Sequence, residues 1–177
     1  MTTTSVSINW TNVLPMAAPR SVDSNAFRQA LGSLAAGVSV VTTIDQDGQK
    51  LGLTATSVTS VSLDPPLVLV CIDNRSRTSA ALQDGAPFVV HFLAADQEGL
   101  ARQFAGRAPD KFAGVKYRMT ASGCPRLEGA LASVECVPHY IYPGGDHTIF
   151  VGRVVDVEIG DGSTTPLMYF RSNFLNR

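Results

Sequence analysis

Short β-branched and apolar segments, separated by turn residues, recur along most of this chain of 177 residues. Turn signals between them include Asp47-Gly48 and the stretch 143–147, both of which are typical of β-hairpins. Successive strands joined by short turns pair antiparallel, and closing such a sheet removes its exposed edges. The sequence therefore predicts a mainly β fold, a Greek-key-like antiparallel barrel. Its strands are expected at about residues 38–44, 51–62, 67–72, 88–93, 130–142, 148–159 and 167–171.

About three peripheral helices are expected beside these strands. The first has Asp23 or Ser24 as its cap and Gly37 as its stop. Its apolar positions follow the helical spacing i, i+3, i+4, i+7, at Phe27, Ala30, Leu31 and Leu34. The others cover about 75–84 and 97–105.

The chain divides into a short lead and one folded domain. Residues 1–22 are rich in Thr, Ser and Pro and are expected to be a flexible N-terminal segment. Residues 23–177 form a single domain, because the remaining length suits one hydrophobic core.

Charge and cysteine usage exclude several classes of protein. The 14 Lys+Arg against 15 Asp+Glu leave a net charge of −1, so a nucleic-acid or anionic-membrane surface is not expected. Cys71, Cys124 and Cys136 are far apart and form no CxxC pair, which argues against a disulfide framework or zinc site and fits the cytoplasm. No segment has the ~20 continuous apolar residues that a membrane-spanning helix needs.

Common catalytic motifs are also missing from the sequence. It contains no GxGxxG after a strand, no GxxxxGK[ST], no HExxH and no GxSxG. The three histidines, His91, His139 and His147, are widely spaced, so no metal site is expected.

The first informative stretch is 52–67, where small hydroxyl residues recur at nearly every second position. In a strand this spacing places alternate hydroxyls on a common face, where a flat ring could lie against the backbone. The alternative is an ordinary Thr/Ser-rich strand facing water, which β-propensity explains well. The hydroxyls that would share a face are Thr54, Thr56 and Ser60, or Ser57 and Thr59.

The second stretch is 73–78, directly after an apolar strand and at the start of a short helix. Free amides, the hydroxyls of Ser76 and Thr78, and the guanidinium groups of Arg75 and Arg77 could together hold a phosphate. The alternative is a helix cap with two solvated arginines.

The third stretch is the turn that carries Gly144, Gly145, Asp146 and His147, with Gly152 in the following strand. Two glycines permit unusual backbone angles, so His147 would be held at the mouth of the turn, where it can donate a hydrogen bond to a ligand. A glycine within the strand leaves room for close packing. The alternative is a plain Gly-Gly hairpin with an exposed Asp-His pair.

These three elements, in this order, resemble the short-chain flavin reductase family over the range from about Phe27 to Phe174. The closest motif matches are 60–67 (Ser-Val-Ser-Leu-Asp-Pro-Pro-Leu), 109–112 (Pro-Asp-Lys-Phe) and the GDHxxxxG pattern at 145–152. The end of the chain is similar to the family's last strand, although Ser172 stands where glycine is common. The resemblance implies an FMN-binding split barrel whose members commonly form homodimers.

The resemblance also implies which residues contact each cofactor. The flavin would be bound by Thr54, Thr56, Ser57, Cys71, Asp73, Ser76, Arg77, Thr78 and Phe104. The nicotinamide would be bound by Gly145, Asp146, His147, Tyr169 and Arg171. No metal is implied, and no catalytic side chain either, because hydride passes directly between the two cofactors.

The implied activity is that of an NAD(P)H:flavin oxidoreductase, which reduces FMN or FAD and supplies reduced flavin to a separate monooxygenase component. FMN and FAD stay open, while the scarcity of Lys and Arg near His147 favours NADH over NADPH. One alternative is a non-catalytic split barrel that carries or senses flavin or heme. A more remote one is an enzyme similar to pyridoxamine-phosphate oxidases.

Overall fold

The computed structural model describes residues 21–175, so the lead predicted at 1–22 falls almost wholly outside the described residues. The helices are α1 (Ser24–Gly32), α2 (Arg77–Gln83) and α3 (Glu98–Ala105), with a 3-10 turn at Ala95–Gln97. The strands are β1 (Ala36–Gly37), β2 (Ser39–Ile44), β3 (Lys50–Ala55), β4 (Val58–Leu63), β5 (Pro66–Asp73), β6 (Phe88–Phe92), β7 (Tyr117–Met119), β8 (Pro125–Leu127), β9 (Ala132–Gly144), β10 (His147–Ile159), β11 (Met168–Phe170) and β12 (Asn173–Leu175).

Seven strands form the main sheet, in the order β3-β2-β6-β9-β10-β5-β4, and every neighbouring pair is antiparallel. In a flat sheet, strand spacings of about 4.8 Å would place β3 and β4 about 29 Å apart. Only Thr56 and Ser57 connect these two strands, which is a reach of about 11 Å at most. The sheet must therefore roll up until its edges meet. This confirms the predicted antiparallel barrel.

The two edge strands meet at residues 53–57, which we call the seam, and Ser57 ties the seam to β5. The Cys71 N–H donates to the carbonyl of Ser57 at 3.2 Å, and the Ser57 hydroxyl donates to the carbonyl of Cys71 at 2.9 Å. The single strand predicted at 51–62 is therefore wrong. Its two halves pair with different neighbours, β2 and β5, and the chain breaks at Thr56 and Ser57 to reach both.

Helix α1 begins as predicted, because the Asp23 carboxylate accepts from the N–H groups of Asn25 and Ala26, both at 2.9 Å. It ends at Gly32 rather than Gly37, since Ala36–Gly37 pair with β11 as β1. The helix buries none of its residues, so its apolar stripe faces outward.

Strand β2 is buried on both faces and separates two apolar cores. Val41 points into the barrel with Val70, Phe88 and Phe150. Val40 points the other way, into the core formed with α3 and Phe104. Because both faces of the strand are removed from water, its sequence is a continuous β-branched run rather than an alternation of polar and apolar residues.

No helix within residues 21–175 is long and apolar enough to cross a membrane. Across the same residues, no group of three His, Cys, Asp or Glu side chains is placed to hold a metal ion.

Candidate functional site

A main cavity of about 680 Å³ opens where the barrel seam meets the ends of β5, α3 and the β9–β10 turn. The cavity is lined by residues 53–57 of the seam and residues 71–73 of β5, and His147 lines it as well. The remaining lining residues are Arg75, Ser76, Phe104, Ala105, Arg107 and Lys111. Most of the residues predicted for the flavin are therefore brought together, although they come from four separate segments.

A second cavity, of about 360 Å³, adjoins the first and receives Arg77 and Thr78. Both cavities share Ser76, Arg107 and Lys111 among their lining residues. We call the two cavities together the groove. The predicted phosphate-binding stretch 76–78 thus lies along the groove from the predicted ring-binding residues.

Hydroxyl groups of the seam have structural partners as well as a place in the groove. The Thr54 hydroxyl donates to the Ala101 carbonyl of α3 at 2.6 Å, and the Ser57 hydroxyl donates to the Cys71 carbonyl of β5. Each hydroxyl has donated its one proton, so what it still offers a ligand is acceptor capacity. Among the described residues, no hydrogen bond within the protein takes up the hydroxyl of Thr56, which is exposed.

Phe104 forms a rigid wall of the main cavity, and its position depends on a glycine. A Cβ at Gly52 would lie 2.6 Å from Cε1 of Phe104, so only glycine in β3 lets this ring pack against the strand. Phe112 meets the ring edge-on, with the two centroids 5.1 Å apart. Phe104 is fully buried by these contacts although it lines the main cavity.

The β9–β10 turn is tighter than predicted, because only Gly145 and Asp146 separate the two strands. Gly145 has φ of 78°, in the left-handed region that favours glycine. His147 is consequently the first residue of β10 and lies opposite Asp73 of β5. Strand register, rather than a loop, therefore places the imidazole beside the predicted flavin residues.

Asn74 fastens this turn to the end of β5, and the sequence analysis assigned it no role. Its N–H donates to the Asp146 carbonyl at 3.1 Å, and its side-chain amide donates to the Gly145 carbonyl at 3.1 Å. The Thr148 hydroxyl donates to the Asn74 side-chain oxygen at 2.7 Å. A polar residue after a buried strand was the only signal in the sequence, and it does not reveal the partner.

Asp146 orients His147, because Nδ1 of the imidazole lies 2.7 Å from the Asp146 carboxylate. This hydrogen bond lowers the pKa of Asp146 below its ordinary value. Gly145 and Asp146 do not line the groove; they hold His147, which does. With Nδ1 engaged, Nε2 is the ring nitrogen left for a ligand.

Two arginines of the 73–78 stretch are already paired. Arg75 makes an ion pair with Asp73 at 2.6 Å, and its side-chain hydrogen bond to that carboxylate holds the pKa of Asp73 well below its usual range. Arg77 bonds both Asp45 and the Gln49 side chain at 2.8 Å. These pairs fix where the guanidinium groups lie at the edges of the groove.

Two basic residues that line both cavities were missed by the sequence analysis. The Lys111 ammonium donates to the carbonyls of Phe104 at 2.7 Å and Gly52 at 3.1 Å, and burial lowers the pKa of Lys111. Arg107 lines both cavities four residues earlier. The Pro109–Phe112 match was the available signal, but it carried no indication of a role.

Tyr169 and Arg171, which were predicted to bind the nicotinamide, do not line the groove. Tyr169 lines a cavity of about 430 Å³ that shares Thr54, Thr56 and Ala105 with the main cavity. Arg171 lines a different cavity, next to α1, and its N–H donates to the Gly32 carbonyl at 2.9 Å. The structure thus brings His147 to the flavin residues and Tyr169 next to them, whereas Arg171 lies elsewhere.

Gly152, the last position of the GDHxxxxG pattern, faces the barrel core rather than the groove. A Cβ there would lie 2.5 Å from Cζ of Phe88 and 2.7 Å from Cβ of Cys136. The room that this glycine leaves is therefore filled by the protein's own side chains.

A flavin reductase like domain matches residues 31–176. The chain belongs to the flavin reductase family. It is 38% identical over 158 residues to the reductase subunit HsaB of a flavin-dependent monooxygenase from Rhodococcus jostii, covering 89% of this chain and 80% of that protein. It is 41% identical over 152 residues to an NADH-dependent flavin reductase from a Rhodococcus species, covering 84% of this chain and 83% of that protein.

Solved structures of flavin reductases share the fold. The NADH:FAD oxidoreductase SgcE6 of Streptomyces globisporus, in complex with NAD and FAD fragments, superposes with a TM-score of 0.81 at 37% identity. The match covers 86% of this chain and 92% of that chain. The predicted family and barrel are confirmed.

Proposed function

We propose that this flavin reductase oxidises NADH or NADPH and transfers the hydride to FMN or FAD bound in the groove. One observation carries the proposal. A single groove joins His147, the hydroxyl-lined seam and a cluster of basic side chains. The seam suits the flavin ring, the basic side chains suit its phosphate, and His147 lies where a nicotinamide would meet the ring.

The residues of the main cavity suit a flavin. Its volume of about 680 Å³ lies within the ~300–1,000 Å³ of typical small-molecule sites. The Phe104 wall and the small residues of the seam would accept the flat ring, with Cys71 and Asp73 along the polyol chain. Ser76, Arg77, Thr78 and the two basic residues that the sequence analysis missed, Arg107 and Lys111, would hold the phosphate.

Bound flavin supplies the acceptor for a hydride from reduced nicotinamide, so the protein's own residues only bind, orient and exclude. His147 would position the nicotinamide through Nε2, and Gly145 and Asp146 would act by holding His147 in place. Tyr169 would border the same ligand from the adjoining cavity. We assign Arg171 to a more distant part of the dinucleotide.

We further propose that reduced flavin leaves this protein for a separate monooxygenase component. The HsaB relative is the reductase subunit of a flavin-dependent monooxygenase, which supports this division of labour. The cysteines at 71, 124 and 136 are all free thiols, which favours a reducing compartment such as the cytoplasm.

A second copy of this chain is the partner we propose for the exposed apolar side chains of β4 and β10. Leu63 of β4 is 95% exposed and Ile159 of β10 is 78% exposed. Val155 and Val157 add to this surface, and exposed apolar surface of this kind marks interfaces. Light scattering should report the mass of two chains.

The test is a matrix of NADH or NADPH with FMN, FAD or riboflavin, followed at the nicotinamide absorbance band. We expect steady oxidation that requires added or retained flavin. Flavin binding without any nicotinamide oxidation would make the protein a carrier and end the proposal. Reduction of bound flavin by an amine substrate alone would point instead to an oxidase.

A further inference from the structure

The second cavity continues the groove beyond the predicted phosphate-binding residues. It lies between 49–53, residues 76–78 and the loop 106–109, and Lys111 reaches into it. The two cavities lie side by side, because four residues line both of them. The shared residues are Leu53, Ser76, Arg107 and Lys111.

The junction between the cavities is built for one phosphate group. Lys111 carries three ammonium protons, of which two are donated to carbonyl groups, so one is left for a ligand. Arg107 makes no ion pair within residues 21–175 and is free to turn toward the same point. A flavin whose ring lies in the main cavity would place its first phosphate here.

Beyond the junction, the second cavity has a cationic lining with no acidic residue in it. Its basic residues are Lys50, Arg77, Arg107 and Lys111. Asp45 forms an ion pair with Arg77 and with no other basic residue of the cavity. Asp110 attracts the Lys50 ammonium electrostatically but does not line the cavity. One phosphate at the junction cannot account for a cation placed at the far rim.

Lys50 is held at that rim by aromatic neighbours. Its ammonium donates to the Tyr117 hydroxyl at 2.8 Å and lies 5.1 Å from the centre of the Tyr117 ring and 5.8 Å from that of Phe112. Leu51 and Pro109 add apolar walls next to it. Apolar walls beside a fixed cation suit a nucleobase attached to a second phosphate.

We propose that the second cavity binds the adenylate half of FAD, so that the groove prefers FAD to FMN and riboflavin. The inference rests on the proposed function, because it assumes that flavin occupies the main cavity. NADH also contains an adenylate group, but that of FAD is joined directly to the phosphate at the junction. The adenylate half of FAD can therefore reach the second cavity.

The test compares Kd values for FAD, FMN and riboflavin, measured by flavin fluorescence without nicotinamide, in wild type, Lys50→Met and the control Lys116→Met. Lys116 is exposed and lines neither cavity. We expect wild type to bind FAD at least about tenfold more tightly than FMN. Lys50→Met should weaken FAD binding about fivefold and FMN binding less than about twofold, since only FAD would reach the rim and an exposed charge contributes modestly. Equal Kd values for FAD and FMN, or equal losses in Lys50→Met, would overturn the inference.

A second arm measures the KM for NADH with FMN as acceptor. A rise in this KM in Lys50→Met, with the Kd for FAD unchanged, would assign the second cavity to NADH and overturn the inference. If NADH is oxidised with FMN but FAD shows no preference, this inference alone fails. If no flavin supports NADH oxidation, the proposed function fails while selective FAD binding remains measurable.

Discussion

The two ends of the groove are built in different ways. At one end, His147 is placed by strand register and by the Asp146 carboxylate that its Nδ1 contacts, while Asn74 holds the turn through the carbonyls of Gly145 and Asp146. At the other end, Lys111 and Arg107 are long side chains from a remote segment that line the same cavities as Ser76. The first end is suited to holding a ring at a fixed angle, and the second to attracting a phosphate over a range of positions.

Because of this difference, the two ends should control different constants, namely the KM for NADH and the affinity for flavin. Changes at the His147 end should affect reduced nicotinamide, whereas changes at the basic end should affect phosphorylated flavins. A substitution at one end that weakens reduced nicotinamide and flavin equally would contradict this division.

The largest effect is expected for Lys111→Met, which keeps the stem and removes the charge. We expect the Kd for FMN to rise about 10- to 100-fold, because a hydrogen bond to a charged group contributes about 1.5–3 kcal/mol. Riboflavin, which has no phosphate, should change less than about twofold. Fluorescence titration of both flavins checks this. Equal losses for FMN and riboflavin would mean that Lys111 acts only by tying α3 to β3.

His147→Ala should raise the KM for NADH about five- to tenfold and that for FMN less than about twofold, as the loss of one hydrogen bond and its orientation implies. His139→Ala is the matched control, because His139 is exposed on the neighbouring strand and lines no part of the groove. Steady-state rates over both substrates give the two constants. Similar rises in both would place His147 away from the nicotinamide.

Asn74→Ala should raise the KM for NADH by about threefold, since it loosens the turn without removing the imidazole. In the double variant with His147→Ala no further rise is expected, because Asn74 acts through His147. If the free-energy effects of the two single substitutions on the KM for NADH add up in the double variant, Asn74 acts independently of His147. The flavin Kd serves as the internal control.

Gly152→Ala should leave both ends of the groove unchanged. The added methyl group would overlap Phe88, and such overpacking costs about 1–3 kcal/mol of folding stability. Denaturant unfolding should show this loss, while both KM values stay within about twofold at a temperature where the variant is folded. A selective change in the KM for NADH would return Gly152 to the nicotinamide site.

Sequence reasoning predicted the parts of the molecule that depend on local patterns. The β9–β10 hairpin, the Asp23 cap and the Gly145 turn follow from spacing and turn chemistry, and the structure contains all three. The break at Thr56 and Ser57 could not be predicted, because it follows from barrel closure, in which β3 and β4 take different neighbours.

The basic end of the groove was missed for a related reason. Lys111 reaches the carbonyls of Gly52 and Phe104 only once α3 packs against β3, and no spacing in the sequence indicates that contact. Gly152 shows the converse. Its place in a recognised pattern indicated a ligand, whereas the space it leaves is taken by Phe88.

Protection of Cys71 tests most directly whether flavin binds in the main cavity. Cys71 lines that cavity and is partly exposed, whereas Cys124 and Cys136 are buried, so a maleimide should label it selectively. Burial raises the pKa of the Cys71 thiol, and labelling is therefore best followed above pH 8 with Cys71→Ser as the background. FMN or FAD should block labelling, with half-protection at the Kd found by fluorescence. Unchanged labelling at saturating flavin would contradict the account.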